Sequence, residues 1–250
     1  MREVVVTTTF YNNVSELRFK LACELVAKAV TAGYPVVIID ASPNPEIAEK
    51  LRELGALVFP QQCKGMGPGR RQAFFHATEV ASQKNADIVV WTEPEKVSLI
   101  GLIPKFTAPI AAGMADIAIL RRSQKSWETW PAFQKESEEK ANEVYNEVFF
   151  TRGFDPMAGP VAFRISMASY FAFCYAALEI SDIEDTYIQH YAPAIARAEN
   201  ERVVSIEVDI TYPTEQKVEE EQALNKEMVE KRKWQLDTLS KAYRALARSI

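Results

Sequence analysis

The first 91 residues alternate short apolar runs with segments of helical periodicity. The apolar runs are predicted strands, and the segments between them carry apolar residues at helical spacing, as at Leu17, Leu21 and Leu25. The predicted strands are Val4 to Thr9, Val36 to Ile39, Leu57 to Pro60 and Ala86 to Trp91. Strands that alternate with helices at this interval form right-handed crossovers and a mainly parallel sheet with helices on both faces. The sequence therefore predicts a Rossmann-like α/β fold.

The rest of the chain is less regular and ends in a strongly charged segment. Its predicted elements are strands Ile117 to Arg121, Val161 to Arg164 and Val203 to Ile210, and helices Ser137 to Phe150 and Ser166 to Leu178. After Pro213 the sequence contains neither glycine nor proline, which predicts one long helix or two shorter pieces. We expect a main domain over residues 1–214 and a helical extension over residues 215–250.

Apolar residues in the extension are spaced three and four positions apart. They are Leu236, Leu239, Tyr243, Leu246 and Ile250. Such a stripe either docks a helix on its parent domain or forms a seam with a second copy of the chain. Two heptads are few for a seam, so docking is the favoured interpretation and a homodimer through this helix is the alternative.

Charge and composition argue against several classes of function. The formal net charge is −5, and no basic stripe is interleaved with aromatic residues, so nucleic acid is not an expected partner. No apolar run reaches the ~20 residues of a spanning helix. Only Met1 to Glu3 stand before the first apolar run, so a secretory signal is not expected. The three cysteines are scattered and form no metal-binding or disulfide pattern, so we expect a cytoplasmic protein.

Polar residues and glycines cluster where the predicted strands end, which is where open parallel sheets bind their ligands. Asp40 follows the second strand, and Arg70 and Arg71 follow a glycine-rich loop, Gly65 to Gly69, after the third. The acidic pair and lysine of Glu93 to Lys96 follow the fourth strand. A guanidinium group can donate two hydrogen bonds to the oxygens of one phosphate, and the backbone N–H groups at the start of a helix can donate to an anion. These features predict a phosphate-containing ligand at this edge.

Other interpretations of the same residues stand beside this one. A dinucleotide fingerprint would follow the first strand, where the chain has Phe10 to Asn13, so a nicotinamide dehydrogenase is disfavoured. A sugar nucleotidylyltransferase is disfavoured because its glycine-rich basic loop also follows the first strand. Asp40 alone fits a loop cap, the glycines fit a plain turn, and Glu93 with Glu95 fits a solvated strand exit.

The order of these segments resembles the GT-A glycosyltransferase domain. The matching segments are Val4 to Phe10, Val37 to Asp40 with Ser42, Lys64 to Ala73, Ile88 to Glu95, Gly159 to Arg164 and Ile180 to Tyr187. The resemblance covers about residues 1 to 212 and looks most like the mannosylglycerate-synthase branch, while Glu184-Asp185 is also similar to the acidic pair of inverting family-2 enzymes. It implies sugar transfer from a nucleotide-diphosphate sugar, with GDP-mannose as the expected donor, to a small or lipid-linked hydroxyl acceptor.

The resemblance also implies roles for individual residues of the donor site. The donor-site residues are Thr8, Phe10, Asp40, Gly69, Arg70, Arg71, Glu93, Glu95 and Lys96. Thr8, Phe10 and Asp40 would hold the nucleoside, and Arg71 would reach the base or the diphosphate. Glu93-Pro94-Glu95 occupies the place of the Asp-x-Asp motif, which in the family holds a divalent ion on the diphosphate.

This chain departs from the family at that motif. Its glutamates are longer than aspartates, Lys96 adds a cation, and Tyr212-Pro213-Thr214 lacks the late histidine that often completes the metal site. Two alternatives follow. Either Glu93 or Glu95 holds Mg²⁺ or Mn²⁺, or the site needs no metal because basic residues neutralise the diphosphate, and the second alternative is favoured.

Catalysis and acceptor binding are assigned to the second half of the chain. The resemblance makes Asp185, with Glu184 beside it, the general base of an inverting enzyme or the acceptor-orienting residue of a retaining one. Acidity at a helix start is the structural alternative for this pair. Trp127 and Trp130 are predicted to stack on an acceptor, with Gly159 beside it, or else to form a local core. The alternative function is a degenerate GT-A module that binds a nucleotide or a protein partner without turnover.

Overall fold

A computed structural model describes residues 3–174, 185–224 and 226–250. The strands of the described residues form one seven-stranded sheet in the order β3-β2-β1-β4-β6-β5-β7. They are β1 (Glu3–Thr9), β2 (Val36–Asp40), β3 (Leu57–Pro60), β4 (Ile88–Trp91), β5 (Ile117–Arg122), β6 (Val161–Arg164) and β7 (Val203–Val208). Each of the predicted strands is present, and the predicted mainly parallel α/β architecture is confirmed.

Helices flank this sheet on both faces. They are α1 (Leu17–Thr31), α2 (Pro45–Glu53), α3 (Met66–Gln83), α4 (Ile103–Ala111), α5 (Gln124–Thr129), α6 (Ala132–Val148), α7 (Ala168–Ala172), α8 (Ile188–Ala198), α9 (Thr214–Gln222) and α10 (Lys226–Ala247). Helix α7 covers only the first part of the predicted helix Ser166 to Leu178, whose end lies outside the described residues. The charged extension forms two helices, one of the two predicted alternatives.

The register of the strands places several strand ends at one edge of the sheet, where the candidate site lies. Thr9 of β1 pairs with Asp40 of β2, which pairs with Pro60 of β3, so these three strands end at one level. Strand β6 is antiparallel to both of its neighbours, β4 and β5, whereas the other described pairs are parallel. Trp91, the last residue of β4, pairs with Val161, the first residue of β6. The edge therefore holds the carboxyl ends of β1 to β4 and the amino end of β6.

Alternate residues of the strands pack into two separate cores, one on each face of the sheet. In β1, Val4 and Val6 belong to one core and Val5 belongs to the other. Helices α3, α6, α8 and α10 supply residues to the first core, and α1, α2 and α4 to the second. Burial on both faces explains why the strands are continuous apolar runs rather than alternating ones.

The apolar stripe of the extension docks on the main domain. Leu239, Tyr243 and Leu246 of α10 are fully buried in the first core, and the ring of Tyr243 packs edge-on against Tyr145 of α6 with centroids 5.2 Å apart. Leu236 is partly buried, and Ile250 is exposed. The structure agrees with the docking interpretation, and a homodimer through this helix stays a prediction.

Two further expectations concern the environment of the chain. None of the three cysteines forms a disulfide. Within the part of the chain that the structure describes, we find no helix that combines the length and the apolar character required to span a bilayer.

Candidate functional site

Two adjacent cavities lie along the sheet edge where β1 to β4 end. The larger has a volume of about 880 Å³ and the smaller a volume of about 260 Å³. Both are lined by the same five residues, which form a shared wall between them: Arg18, Met66, Arg70, Glu93 and Glu95. Concave sites of several hundred Å³ are typical of small-molecule binding, so one ligand with two parts, or two ligands in contact, fits this groove.

The end of β1 and the loop before α3 form the larger cavity. Thr8 and Phe10, to which the sequence assigns a donor role, line it, and the Phe10 side chain is 63% exposed. An exposed aromatic ring in a cavity offers a face on which a nucleobase can stack. Gly65 and Met66, at the start of α3, form the opposite side. The N–H groups of a first helical turn lack acceptors within the helix, so this side presents donors.

Asp40 holds the loop after β2 and does not line either cavity. Its side chain is buried, at 8% exposure, and Oδ1 accepts hydrogen bonds from the hydroxyls of Thr9 (2.7 Å) and Ser42 (2.6 Å). The Ser42 hydroxyl in turn accepts the backbone N–H of Tyr11 at 2.9 Å. The geometry is that of the loop-cap alternative. Contact between Asp40 and a nucleoside stays a prediction.

Gly69 also acts through the loop rather than through the cavity. A Cβ at Gly69 would lie 2.6 Å from the side-chain oxygen of Gln61, so a larger residue would have to displace the Gln61 amide. Gln61 donates from Nε2 to the carbonyls of Cys63 (2.5 Å) and Gly65 (2.9 Å). The glycine thus lets one amide side chain fix the loop that begins α3. Gly65 itself has a φ of +108°, which favours glycine.

Arg70 lies at the junction of the two cavities and is 7% exposed. Its Nη1 donates to the Thr186 carbonyl and, at 3.0 Å, to Gln189 Oε1. Burial lowers the pKa of Arg70, and the nearby Glu93 carboxylate acts in the opposite direction. A buried guanidinium stabilises an anion beside it, so Arg70 suits a phosphate-containing ligand.

Three buried donors without a protein partner belong to residues that line the larger cavity. They are Tyr11 Oη, Arg70 Nε and Trp91 Nε1, none of which has an acceptor among the described residues. An unpaired buried donor costs free energy, and because these three atoms are themselves buried, a ligand could accept from them only after a local movement of side chains.

Arg71 and Trp127, two predicted site residues, line neither cavity. Arg71 is partly buried on α3. Trp127 on α5 packs its ring against the buried Arg122, whose guanidinium carbon lies 3.6 Å from the ring centroid. Trp130, by contrast, lines the smaller cavity and packs edge-on against Tyr212, with centroids 5.1 Å apart. Of the predicted acceptor aromatics, the structure therefore brings Trp130 alone into this cavity.

Glu93 is held at the junction by a lysine and a glycine. Lys96 Nζ lies 2.7 Å from Glu93 Oε2, and both residues line the smaller cavity. Gly159, at a φ of +95°, packs so closely on the Glu93 carboxylate that an added Cβ would lie 2.6 Å from Glu93 Cδ. The predicted residues Glu93, Lys96 and Gly159 therefore form one unit.

Replacing Gly159 by alanine is expected to displace the Glu93 carboxylate and to strain the backbone. We expect a loss of about 1–3 kcal/mol in the free energy of unfolding from the positive φ alone. Urea unfolding of Gly159→Ala measures it, with Gly101→Ala as the matched control, because a Cβ at Gly101 meets no atom within 4 Å. Equal stability of both variants would contradict the assigned packing.

Glu95 and Arg18 complete the shared wall. Burial raises the pKa of Glu95, while the positive charge of Arg18 acts in the opposite direction. Arg18 Nη2 also lies 2.9 Å from Glu220 Oε1, which links α1 to α9 of the extension. Glu95 thus holds its proton to a higher pH than an exposed glutamate does.

Helix α9 supplies one wall of the smaller cavity through Glu220. Besides Arg18, this carboxylate accepts hydrogen bonds from Tyr212 Oη (2.7 Å), Gln216 Nε2 (3.0 Å) and the Gln134 amide. Burial opposes ionisation of Glu220, but these donors outweigh it and lower its pKa. The extension is therefore part of the site rather than an appendage to it.

His190 of α8 lines the smaller cavity from the side of the first core. Its Nδ1 lies 2.7 Å from the hydroxyl of Tyr243 on α10. Burial, reinforced by the charges of Arg70 and Lys96, lowers the pKa of His190 to about 3. The imidazole is therefore neutral at physiological pH and acts as a hydrogen-bonding group rather than a cation.

The predicted catalytic pair falls at the limit of the described residues. Glu184 lies outside them, and Asp185 begins a short 3₁₀ turn, Asp185–Tyr187, that leads into α8. The carbonyl of Thr186, next in the chain, accepts the hydrogen bond from Arg70. The backbone of this turn is thereby tied to the junction of the two cavities.

The described residues fit a divalent metal ion poorly. Within them, no group of three histidine, cysteine, aspartate or glutamate side chains is arranged to hold one. Glu93, the first glutamate in the Asp-x-Asp position, already has a lysine ammonium 2.7 Å from Oε2. A metal there would have to displace Lys96.

Comparisons with known proteins identify the fold. No protein-family model matches the chain, and neither does any curated protein. Among solved structures, glucosyl-3-phosphoglycerate synthase from Mycobacterium tuberculosis, with Mn²⁺, uridine diphosphate and phosphoglyceric acid, superposes with a TM-score of 0.54 at 11% identity over 84% of this chain and 70% of that one. The same enzyme, solved with Mn²⁺, UDP-glucose and glycerol 3-phosphate, gives 0.52 at 11% identity over 84% and 72%.

A nucleotidyltransferase shares the same architecture. CMP:2-keto-3-deoxy-manno-octonic acid synthetase in complex with CTP superposes with a TM-score of 0.51 at 12% identity, over 90% of this chain and 100% of that one. These likenesses show that the chain has a GT-A-type glycosyltransferase fold. None of these comparisons supports GDP-mannose as the donor.

Sequence reasoning missed several residues of the smaller cavity. Arg18 and Glu220 are 202 positions apart, and each resembles an ordinary surface residue of a charged helix. His190 had one available signal, because it lies in an apolar helix within a few positions of the predicted Asp185. Gln216 had none, since α9 has no apolar stripe that would reveal which face is buried.

Proposed function

We propose that the chain is a glycosyltransferase that moves a sugar from a nucleotide-diphosphate sugar to an acceptor hydroxyl. One observation carries the proposal: two cavities of different size share a wall that contains Arg70, Glu93 and Glu95. The larger would take the nucleotide, and the smaller would take the sugar and its acceptor. The bond to be broken would then lie at the shared wall.

The chemistry of the larger cavity supports a nucleotide. Phe10 offers a stacking face, the start of α3 presents amide donors, and Arg70 provides a buried cation. A nucleoside diphosphate has these complementary parts.

The leaving diphosphate must be stabilised as the sugar departs. Arg70 belongs to the shared wall, and Lys96 lines the smaller cavity beside it. The positive charge of both side chains would stabilise the negative charge of the leaving diphosphate. Asp185 is our proposed general base, which would accept the proton of the acceptor hydroxyl as the new glycosidic bond forms. Its turn is anchored to the same wall through the Thr186 carbonyl.

The identity of the donor is best found by a direct screen. The family resemblance favours GDP-mannose, whereas the structural neighbours include an enzyme solved with UDP-glucose. We therefore propose a thermal-shift screen of UDP, GDP and CDP and of their sugars, followed by turnover assays on the ligands that stabilise the protein. Stabilisation by none of them would reject the nucleotide site.

The rival function is a nucleotide-binding module without turnover. It is favoured by the Lys96–Glu93 ion pair, which occupies the position of a catalytic metal motif. Nucleotide binding without sugar transfer or donor hydrolysis, over a full panel of acceptors, would support this rival.

Donor binding and sugar transfer are expected to persist in excess EDTA. Both are expected to fall at least tenfold in Lys96→Ala, because loss of the ammonium removes a charge that stabilises the diphosphate. The measurement compares initial rates with EDTA and with added Mn²⁺, for the wild type and the variant. The control is Lys105→Ala, which replaces an exposed lysine of α4. The Mn²⁺ complexes of the structural neighbours are compatible with the opposite result. Complete loss in EDTA with recovery on Mn²⁺, while Lys96→Ala stays active, would show that the ion is required.

A further inference from the structure

The turn Asp185–Tyr187, which carries the proposed base, is contacted by side chains from two separate helices. From α3, Arg70 Nη1 donates to the Thr186 carbonyl. From α10 of the extension, Gln235 Nε2 donates to the Tyr187 hydroxyl at 2.8 Å. Arg70 belongs to the shared wall, and Tyr187 and Gln235 line the smaller cavity. The extension therefore reaches the part of the groove where sugar transfer would occur.

A second residue of α10 fixes the orientation of the Gln235 amide. Arg232, three positions earlier and so on the same side of the helix, donates from Nη1 to Gln235 Oε1 at 3.1 Å. Because a guanidinium can only donate, the amide turns its oxygen towards Arg232 and its nitrogen towards Tyr187. The same Nη1 lies 3.9 Å from the buried Glu138 carboxylate of α6. A chain of polar contacts thus leads from α6 through α10 to the turn.

The buried stripe of α10 fixes the direction in which Gln235 points. Leu239 and Tyr243 follow Gln235 at intervals of four residues, and both side chains are fully buried in the first core. Tyr243 also lies 2.7 Å from His190 Nδ1, and the rings of His190 and Tyr187 have centroids 5.3 Å apart. Packing, rather than the Gln235 amide, therefore sets the rotation of the helix. Loss of this amide is expected to release the turn without undocking α10.

We propose that Gln235 is a positioning residue that holds the turn Asp185–Tyr187 in the geometry needed for sugar transfer. This inference rests on the proposed function, since it concerns the same groove. A displacement of reacting groups by about 1 Å can cost a hundredfold in rate. Arg70 has a second acceptor, the buried Gln189 of α8, at 3.0 Å, which retains the guanidinium when the turn is released. Gln235 should therefore act on the rate of transfer and not on nucleotide affinity.

The test uses Gln235→Met, which has nearly the shape of glutamine but no hydrogen-bonding amide. Its matched control is Gln222→Met, the same substitution at an exposed position of α9. Hydrogen exchange of the backbone amides of residues 185–191 reports on the turn without turnover. Calorimetry with UDP, GDP and CDP reports on the nucleotide site. Initial rates are measured with UDP-glucose and GDP-mannose over a panel of hydroxyl acceptors.

Two further variants distinguish this contact from a general structural role. Tyr187→Phe, alone and combined with Gln235→Met, removes the same contact from its other side. Gln235→Glu tests rescue, because a glutamate still accepts from Arg232 and can accept from the Tyr187 hydroxyl.

We expect exchange in residues 185–191 to be about fivefold faster in Gln235→Met, because the turn opens more often. Transfer should be about tenfold slower with nucleotide affinity unchanged. Gln222→Met should match the wild type, and Gln235→Glu should recover most of the lost rate. The double variant should lose no more than the larger of the two single losses, because both substitutions remove one contact.

Unchanged exchange in Gln235→Met, or faster exchange with an unchanged rate of transfer, would overturn the inference. So would losses that add in the double variant. A wild-type protein that binds none of the three nucleotides would contradict the proposed function instead. The exchange measurement decides the contact between α10 and the turn in either case, so the two failures are distinguishable.

Discussion

Arg122→Met is expected to lower the free energy of unfolding by about 3–5 kcal/mol, because it leaves the buried Asp155 without its cation and removes the nearer of the two cations beside the buried Glu138. Arg122 is 2% exposed and donates to both oxygens of Asp155 at 2.7 and 2.8 Å, and to Glu138 at 2.5 Å. Burial opposes the charge on Arg122, but the two carboxylates outweigh it and hold the pKa of the guanidinium above its ordinary value. Asn142 adds one further donor to Asp155.

Urea unfolding of Arg122→Met, followed by circular dichroism, measures this loss. Lys140→Met is the matched control, because Lys140 pairs with Glu136 in an exposed pair at 2.6 Å that solvent screens. We expect no measurable change in this control. Equal stability of Arg122→Met and the control would show that the buried network contributes nothing to the fold. Because Glu138 also lines the smaller cavity, loss of the network should disturb sugar binding as well.

Asp185→Asn is expected to reduce sugar transfer about a hundredfold or more while leaving nucleotide affinity unchanged. An amide has nearly the shape of the carboxylate but cannot accept a proton at neutral pH. The turn that carries Asp185 is tied to Arg70 through the Thr186 carbonyl, so the substitution should not move the wall of the groove. Initial rates at saturating donor, with calorimetry on the same samples, measure both quantities.

Asp209→Asn is the control for this experiment, since it makes the same chemical change at an exposed position after β7. A near-normal rate in Asp185→Asn would reject the base. A loss of only about tenfold would favour a residue that orients the acceptor instead.

Much of the fold was predictable because the relevant signal is local. The strands from Val4 to Trp91 are continuous apolar runs, and each ends at a turn residue or a polar residue. Runs of this kind are typical of strands buried on both faces, and their spacing sets the crossovers. The position of Thr8 and of Glu93 at one sheet edge followed from this order alone.

Elements in the second half were harder to predict because their sequences contain prolines. Helix α4 has Pro104 in its first turn and Pro109 within it, and α8 contains Pro193. Proline in a sequence indicates the end of a helix. At Pro104, in the first turn of α4, the missing N–H costs little, whereas Pro109 and Pro193 lie inside their helices. The strand Val161–Arg164 was predicted, but its antiparallel direction was not, since direction depends on the path of the whole chain.

The smaller cavity could not be assembled from sequence. Its wall joins α1, α9 and α10 through contacts such as that between Arg18 and Glu220, and no local pattern marks such partners. The orientation of the Gln216 amide is likewise set by its hydrogen bonds to Tyr212 and Glu220, which the sequence does not reveal.

The antiparallel strand β6 has a consequence for the order in which this protein folds. Glu93 and Gly159 are 66 positions apart in the sequence, and they meet because Trp91 pairs with Val161 beside them. Closing a loop of that length costs entropy that local helix formation does not, so we expect this strand pair to form after the helices. A chain that has formed its helices but not this pair of strands therefore has most of its secondary structure and no junction between the cavities.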